Sequence, residues 1–342
     1  MIRFKARKVG ALAALLFAGA LAGCEVPPQE STQNGYRGTG MNQINSPEKL
    51  AALKMASLIP EAQPEADATG PRASQAYQNV QVLGHLSEGE FLRVMTAITE
   101  WVAPEQGCAY CHNVENLADD SMYTKKVSRR MLQMTQHINA TWKPHVAETG
   151  VTCFTCHRGQ PVPQNIWFKD TGAVAAGSAA DPMGQNTPLK ANGYASLPRD
   201  PLSSLLNGAG TIRVSGSTSL STEKQGESIV TAETTYSLMN HMSSSLGVNC
   251  TFCHNTRSFS FSSWEQSPPQ RVTAYHGIRL TRDINANFLD PLKPVYPPER
   301  LGAEGDAAKV GCATCHQGVN KPLYGVSMLK DYLKELSAPP KP

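Results

Sequence analysis

Four copies of one five-residue motif constrain this chain more than any other feature. Each reads C-x-x-C-H: Cys108/Cys111/His112, Cys153/Cys156/His157, Cys250/Cys253/His254 and Cys312/Cys315/His316. The chain has nine cysteines, and the motifs use all of them but Cys24. At its Cys and His frequencies, composition alone would supply about 0.006 such motifs in 342 residues. The spacing suits c-type haem: two thiols add across the vinyl groups, and the next residue, on the same turn, presents imidazole to the iron. Zinc pairs would use the thiolates but would not place His directly after every second Cys. Disulfides suit an exported protein, yet they would not repeat the His. The expectation is four covalently bound c-type haems.

Composition agrees with a centre filled by something other than side chains. Aromatics are 7% and charged residues 17%, against roughly 25% charged in an average soluble protein. Gly and Pro number 27 and 24, which implies much irregular chain. Net charge is +3, with no long basic stretch after Lys8, so nucleic-acid binding is excluded. At 40% apolar residues, so is disorder. The fold class is mainly α with extensive coil, a multihaem cytochrome c whose haems form much of the core.

The N-terminus reads as a targeting segment. Arg3, Lys5, Arg7 and Lys8 precede an uncharged, Ala- and Leu-rich run from Val9 to Gly23. That run is shorter than the about 20 residues of a membrane span and matches a secretory signal. Leu21-Ala22-Gly23-Cys24 resembles a bacterial lipoprotein box, in which Cys24 is lipidated and becomes the new N-terminus. A plain signal peptide or an uncleaved anchor are the alternatives. Each version puts the protein outside the cytoplasm, tethered or close to a membrane.

The chain also repeats itself. FLRVM…CAYCHN matches YSLMN…CTFCHN, setting Met95 against Met239 (shift 144). MLQMTQHINATW matches GIRLTRDINANF (shift 146), and VTCFTCHRG matches VGCATCHQG (shift 159). Two pseudo-symmetric two-haem units follow, each built as helix, haem, helix, haem. Boundaries fall at 1–23 (signal), 24–76 (extended arm, helical near Pro47–Ser57), 77–165 (first unit), 166–222 (connector), 223–325 (second unit) and 326–342 (last helix and tail). A short strand is expected over Thr211–Val214, and the last helix over Ser327–Leu336.

Iron needs a second axial ligand, Met or His. Helix-like stretches before the motifs carry Met95, Met131, Met134 and Met239. The repeat puts Gly277 opposite Met131 and Leu280 opposite Met134. The fourth haem therefore lacks a Met and must borrow a ligand, stay five-coordinate or use a His. His145 and His276 are nearest in sequence.

With the lipobox, Asn34–Met41 (NGYRGTGM) and Tyr77–Asn113 (YQNVQVLGHLSEGEFLRVMTAITEWVAPEQGCAYCHN), the chain resembles the tetrahaem cytochrome c subunit of the photosynthetic reaction centre of purple bacteria. The resemblance covers nearly the whole mature chain. It implies Met95, Met131 and Met239 as distal ligands of the first, second and third haems. It implies that His145 crosses to the fourth, with His276 as rival. Met134 and Met242 are then packing, and His85, His137 and His241 ordinary polar or surface residues. The implied role is electron transfer, not enzymatic catalysis. A soluble periplasmic donor, cytochrome c2-like or a high-potential iron–sulfur protein, supplies electrons. The photo-oxidised bacteriochlorophyll special pair receives them, through haems in the line one, two, four, three. Implied partners are the reaction-centre L and M subunits at the special-pair face, the donor, and the inner photosynthetic membrane through the lipid anchor on its periplasmic face. The rival function is a respiratory multihaem carrier or reductase, for which an open fourth haem would speak.

From Leu83 to Asp120, Glu88, Glu90, Glu100, Glu105, Glu115, Asp119 and Asp120 face only Arg93. This stretch would either steer a basic cytochrome or form a plain solvated face.

Overall fold

The computed structural model describes residues 28–170, 197–198, 200–212, 214, 229–257, 259 and 264–337. The signal segment and Cys24 lie outside the described residues, as does much of the connector.

The chain is helical with extensive coil. Its elements are a hairpin of β1 (Glu30–Asn34) and β2 (Met41–Asn45), then α1 (Pro47–Ala56), α2 (Ala73–Ala76), α3 (Glu88–Val102), α4 (Tyr123–Thr141), α5 (Lys143–Val146) and α6 (Cys153–His157). After the connector come α7 (Ile229–Leu246), α8 (Gln270–Ile284), α9 (Cys312–His316) and α10 (Leu333–Leu336). Short 3-10 and π turns join them, and two of the 3-10 turns, Gly107–Tyr110 and Cys250–Phe252, carry the first and third motifs.

Local sequence explains the main helices. At the start of α3, Ser87 Oγ accepts from Glu90 N (3.2 Å) and Glu90 Oε2 accepts from Ser87 N (3.0 Å), a reciprocal cap that satisfies two free donors. Val94, Ala97 and Trp101 recur at helical spacing and are buried. The helix stops at Ala103, before Pro104, as X-Pro geometry requires. In α6 and α9 the hydroxyls of Thr155 and Thr314 accept from Thr152 N (3.0 Å) and Gly311 N (2.9 Å). Both helices end on a left-handed residue, Arg158 and Gln317, each at φ 50°.

Three apolar clusters position these elements. In the first, α3 and Leu132 pack with Leu323, Met328, Leu329, Tyr332 and Leu336. Trp101 meets Tyr332 edge-on at 4.8 Å. Gln136 Nε2 donates to Glu335 O (2.9 Å) and Asn139 Nδ2 to Leu336 O (2.7 Å). The C-terminus therefore returns to the first half of the chain. The single helix expected over 327–336 is instead a 3-10 turn, Leu329–Asp331, followed by α10, because the backbone bends to seat Tyr332 and Leu336. The second cluster joins Leu202, Leu205 and Leu206 to Leu238 and Ile278. Arg282 Nη2 donates to Leu205 O (2.9 Å) and Gly210 O (2.8 Å), so the described part of the connector is packed. Thr211, Ile212 and Val214 are not in a strand; Arg213 lies outside the described residues. The third cluster, Ile138, Ile284 and Phe288, sits where α4 meets α8.

Within the expected extended arm the structure has the β1–β2 hairpin, antiparallel from Glu30↔Asn45 to Asn34↔Met41. It docks on the third motif. Thr251 Oγ1 donates to Asn34 O (2.9 Å) and accepts from Met41 N (2.9 Å). Gly35 has φ 83°, and a Cβ there would lie 2.5 Å from Thr251 O, so only glycine permits this approach.

Candidate haem-binding centre

A cavity of about 1190 Å³ runs between α3, α4, α6, α8 and α9, larger than the roughly 300–1,000 Å³ of a drug-sized pocket. Its wall carries both cysteines of the first, second and fourth motifs, and Cys253 of the third. Burial pushes the Cys153 and Cys312 thiols up to about 12, and Cys253 to about 11. These sulfurs are neutral groups in an apolar wall.

Three motif histidines are oriented alike. Nδ1 lies 3.2 Å from Leu117 O for His112, 2.8 Å from Gln160 O for His157 and 3.0 Å from Val319 O for His316. A ring that donates from Nδ1 keeps the Nε2 lone pair for a metal, the usual orientation of a ligating histidine. Burial lowers the pKa of His157 and, with His145 nearby, takes His316 down to about 4; both are neutral donors at pH 7. His254 differs. Its Nδ1 is buried without a partner, and Phe259 stacks on its ring at 5.0 Å.

On the distal side, Met95 and Met131 line the cavity, and so do Met134 and Met242. Met239 packs against the second apolar cluster. His145, on α5, reaches across to α8, with Nδ1 2.9 Å from Thr273 O. Its ring fills the space beside Gly277: a Cβ there would sit 2.6 Å from Cε1. The ring centres of His145 and His316 are 6.0 Å apart. Two imidazoles on opposite sides of one metal, at about 2 Å per metal–nitrogen bond, have centres about 6 Å apart. The donor set therefore fits a haem iron. His276 is flanked by Tyr275 at 5.7 Å and is absent from the cavity wall.

The other histidines divide. His85 is exposed. His137 is half-buried against Asp283. His241, expected among ordinary polar or surface residues, is only 9% exposed. It fits because position 311 is glycine, where a Cβ would lie 2.9 Å from Nε2. The repeat-related pair is Ala97 and Thr152, so bulk has moved from one partner to the other. Burial takes the His241 pKa down to about 4.

Residues related by the repeat make matching contacts. Asn139 donates to Val151 O (2.9 Å) and accepts from Val151 N (2.8 Å). Asn285 does the same with Val310, at 2.9 Å both ways. Arg158 reaches Cys315 O (3.5 Å) while Gln317 reaches Cys156 O (3.3 Å). Between them Cys156 and Cys315 are joined as a disulfide, with Cα atoms 4.4 Å apart. A sulfur bonded to cysteine has no valence left for a thioether, so this pairing and haem attachment at the same two residues are alternatives.

Two of the seven acidic residues of the stretch are paired in three dimensions. Glu90 pairs with Lys334 at 2.7 Å. Asp120 pairs with Arg129 (2.8 Å) and buried Lys125 (3.1 Å). Glu105 and Glu115 remain exposed.

Motif cysteines around one apolar cavity, with anchored imidazoles and thioethers converging on it, define a multihaem c-type cytochrome. The sequence profile described as photosynthetic reaction centre cytochrome C subunit matches residues 25–336. The chain is 54% identical to the photosynthetic reaction center cytochrome c subunit of Rubrivivax gelatinosus (strain NBRC 100245 / IL144), over 93% of this chain and 87% of that protein. It is 52% identical to that of Thermochromatium tepidum, over 91% and 76%, and 41% identical to that of Roseobacter denitrificans (strain ATCC 33942 / OCh 114), over 95% and 91%. The chain belongs to the photosynthetic reaction centre cytochrome c subunit family. It is an electron carrier with covalently bound c-type haem, associated with the reaction-centre complex at the photosynthetic membrane. No helix among the described residues is long and apolar enough to cross a membrane.

Proposed function

We propose that this chain is a tetrahaem wire between a soluble periplasmic donor and the photo-oxidised special pair. It is built as two pseudo-symmetric two-haem units, faces the L and M subunits and is anchored by a lipid on Cys24. The donor is a cytochrome c2-like protein or a high-potential iron–sulfur protein. When bound, each haem supplies an iron that carries one electron. All eight motif cysteines make thioethers, Cys156 and Cys315 included. His112, His157, His254 and His316 would hold the irons, with Met95, Met131, Met239 and His145 as their second donors. Thioether donors favour the ferrous state, while a second imidazole lowers the potential, so the His145 site is the low one.

The observation that carries this reading is the His145–His316 pair at 6.0 Å, which supplies the fourth site with the ligand its missing Met leaves wanting. With these donors in place, each iron would have two protein ligands and no site would be left for substrate. This favours a carrier over a respiratory reductase.

The test is the flash-induced absorbance change of membranes poised with the haems reduced. Rapid haem oxidation coupled to special-pair re-reduction is expected; no haem oxidation after a saturating flash overturns the reading. The mass of the mature chain reports four haems, the lipid, and whether Cys156 and Cys315 carry haem or each other.

A further inference from the structure

One corner of the cavity is unlike the rest. Tyr110, Tyr123, Tyr296 and Arg300 all line it and are half-buried. They come from the first motif, the start of α4 and, more than 170 residues on, the loop after α8. The rings of Tyr123 and Tyr296 meet edge-on at 6.2 Å. Burial raises the Tyr110 and Tyr296 hydroxyls, and the Arg300 guanidinium, facing both, pulls them back. Among the described residues no hydroxyl of the three has a hydrogen-bond partner, and Arg300 has no ion pair. Its neighbour Glu299 also lines the cavity but is exposed, and no ion pair joins the two. Three hydroxyls and a guanidinium in an apolar cavity can all donate hydrogen bonds and bring one uncompensated positive charge. Such a set matches a carboxylate, which cannot be buried unpaired and which guanidinium binds bidentately.

We propose that Tyr110, Tyr123, Tyr296 and Arg300 form the cradle for a haem propionate. This rests on the haem-binding reading of the cavity. Tyr110 lies between Cys108 and Cys111, and Tyr123 lies two turns before Met131 on α4, so the carboxylate belongs to the first or the second haem. Arg300 keeps that carboxylate ionised and cancels its charge. Without Arg300 the uncompensated anion favours ferric iron, and the carboxylate becomes able to take up a proton in the working pH range.

The experiment is a spectroelectrochemical titration of the purified four-haem protein and of Arg300→Gln, Arg300→Lys and Tyr296→Phe. Haem content is first counted in each by the pyridine haemochrome assay. Arg300→Gln is expected to lower one midpoint by a tenfold shift in the one-electron equilibrium, 59 mV, and to make it fall with rising pH. Arg300→Lys should restore most of the shift, and Tyr296→Phe should give a smaller one. The spectrum of the haem that moves identifies the first or the second. Full haem content with four unmoved, pH-independent midpoints would overturn the cradle and leave the haem reading standing. Wild-type protein without haem would instead sink that reading. If Arg300→Gln does not fold, the near-isosteric Tyr123→Phe and Tyr296→Phe decide the matter by the same midpoints.

Discussion

His137 and Asp283 occupy the same position in the two halves of the chain, 146 residues apart, and their side chains meet, Nε2 2.6 Å from Oδ2. Asp283 also accepts from Trp142 Nε1 (2.7 Å) and Asn287 Nδ2 (2.6 Å). Arg130 lies over the Phe288 ring at 4.5 Å, beside His137. The crossing of α4 and α8 thus behaves like the isologous contact of a dimer, made within one chain. An imidazole faces a carboxylate where an exact repeat would have set like against like.

Asp283→Asn tests that crossing. Burial alone would raise the Asp283 carboxyl, but hydrogen bonds from His137, Asn287 and Trp142 outweigh it and hold the pKa below its ordinary value. A depressed carboxyl contributes stability above its unfolded pKa of about 3.9, and that stability is lost as pH falls through the folded value. The variant should lose about 1–3 kcal/mol at pH 7. Its stability should also fall less steeply on acidification, as followed by denaturant unfolding at stepped pH.

Gly277→Met tests the fourth site. The side chain supplies the thioether the repeat lacks and pushes the His145 ring away. The lowest of the four midpoints should rise by at least about 59 mV, a tenfold shift. The electron paramagnetic resonance signature of paired imidazoles should disappear. Gly277→Ala should displace His145 without offering a replacement, and a high-spin fraction should appear.

Asn139→Ala and Asn285→Ala remove the same brace from the second and fourth motifs. Each leaves a backbone N–H and C=O unpaired two residues before a motif cysteine. A cost of about 1–3 kcal/mol is expected for each. Thermal melting and haem counting on the isolated proteins would show it.

Glu105→Gln with Glu115→Gln tests donor steering. With a basic soluble cytochrome, the pair should slow association by roughly a factor of a few and flatten its salt dependence, as rim charges do. Asp120→Asn should change association little, since Arg129 and Lys125 already balance that charge, and should destabilise the first half instead. Stopped-flow mixing at several ionic strengths separates the two.

The motifs, α3 and α4 were legible because their signals are local: fixed spacing in one case, helical periodicity in the other. Gly277 was legible too, since a repeat exposes what one copy lacks. The hairpin was not. Glu-Ser-Thr-Gln-Asn and Met-Asn-Gln-Ile-Asn lack the alternation of a half-buried strand, and their partner, Thr251, lies more than 200 residues on. Burial of His241 depends on a glycine 70 residues away. Within the acidic stretch, the partner of Glu90 is Lys334, 244 residues on, whereas that of Asp120 is Arg129, nine residues on. The hairpin's dock on Thr251, the burial of His241 and the Glu90–Lys334 pair are long-range contacts that no short window of sequence contains.

The return of the C-terminus sets an order in time. Trp101 is synthesised before any of the four motifs, yet it is covered by Tyr332, which follows the last of them. Without that final stretch, the apolar cluster against which Cys153 packs lacks Leu329, Tyr332 and Leu336. A chain stopped at Val326 would carry all four motifs and still have no finished interior around the first two. Closure comes last.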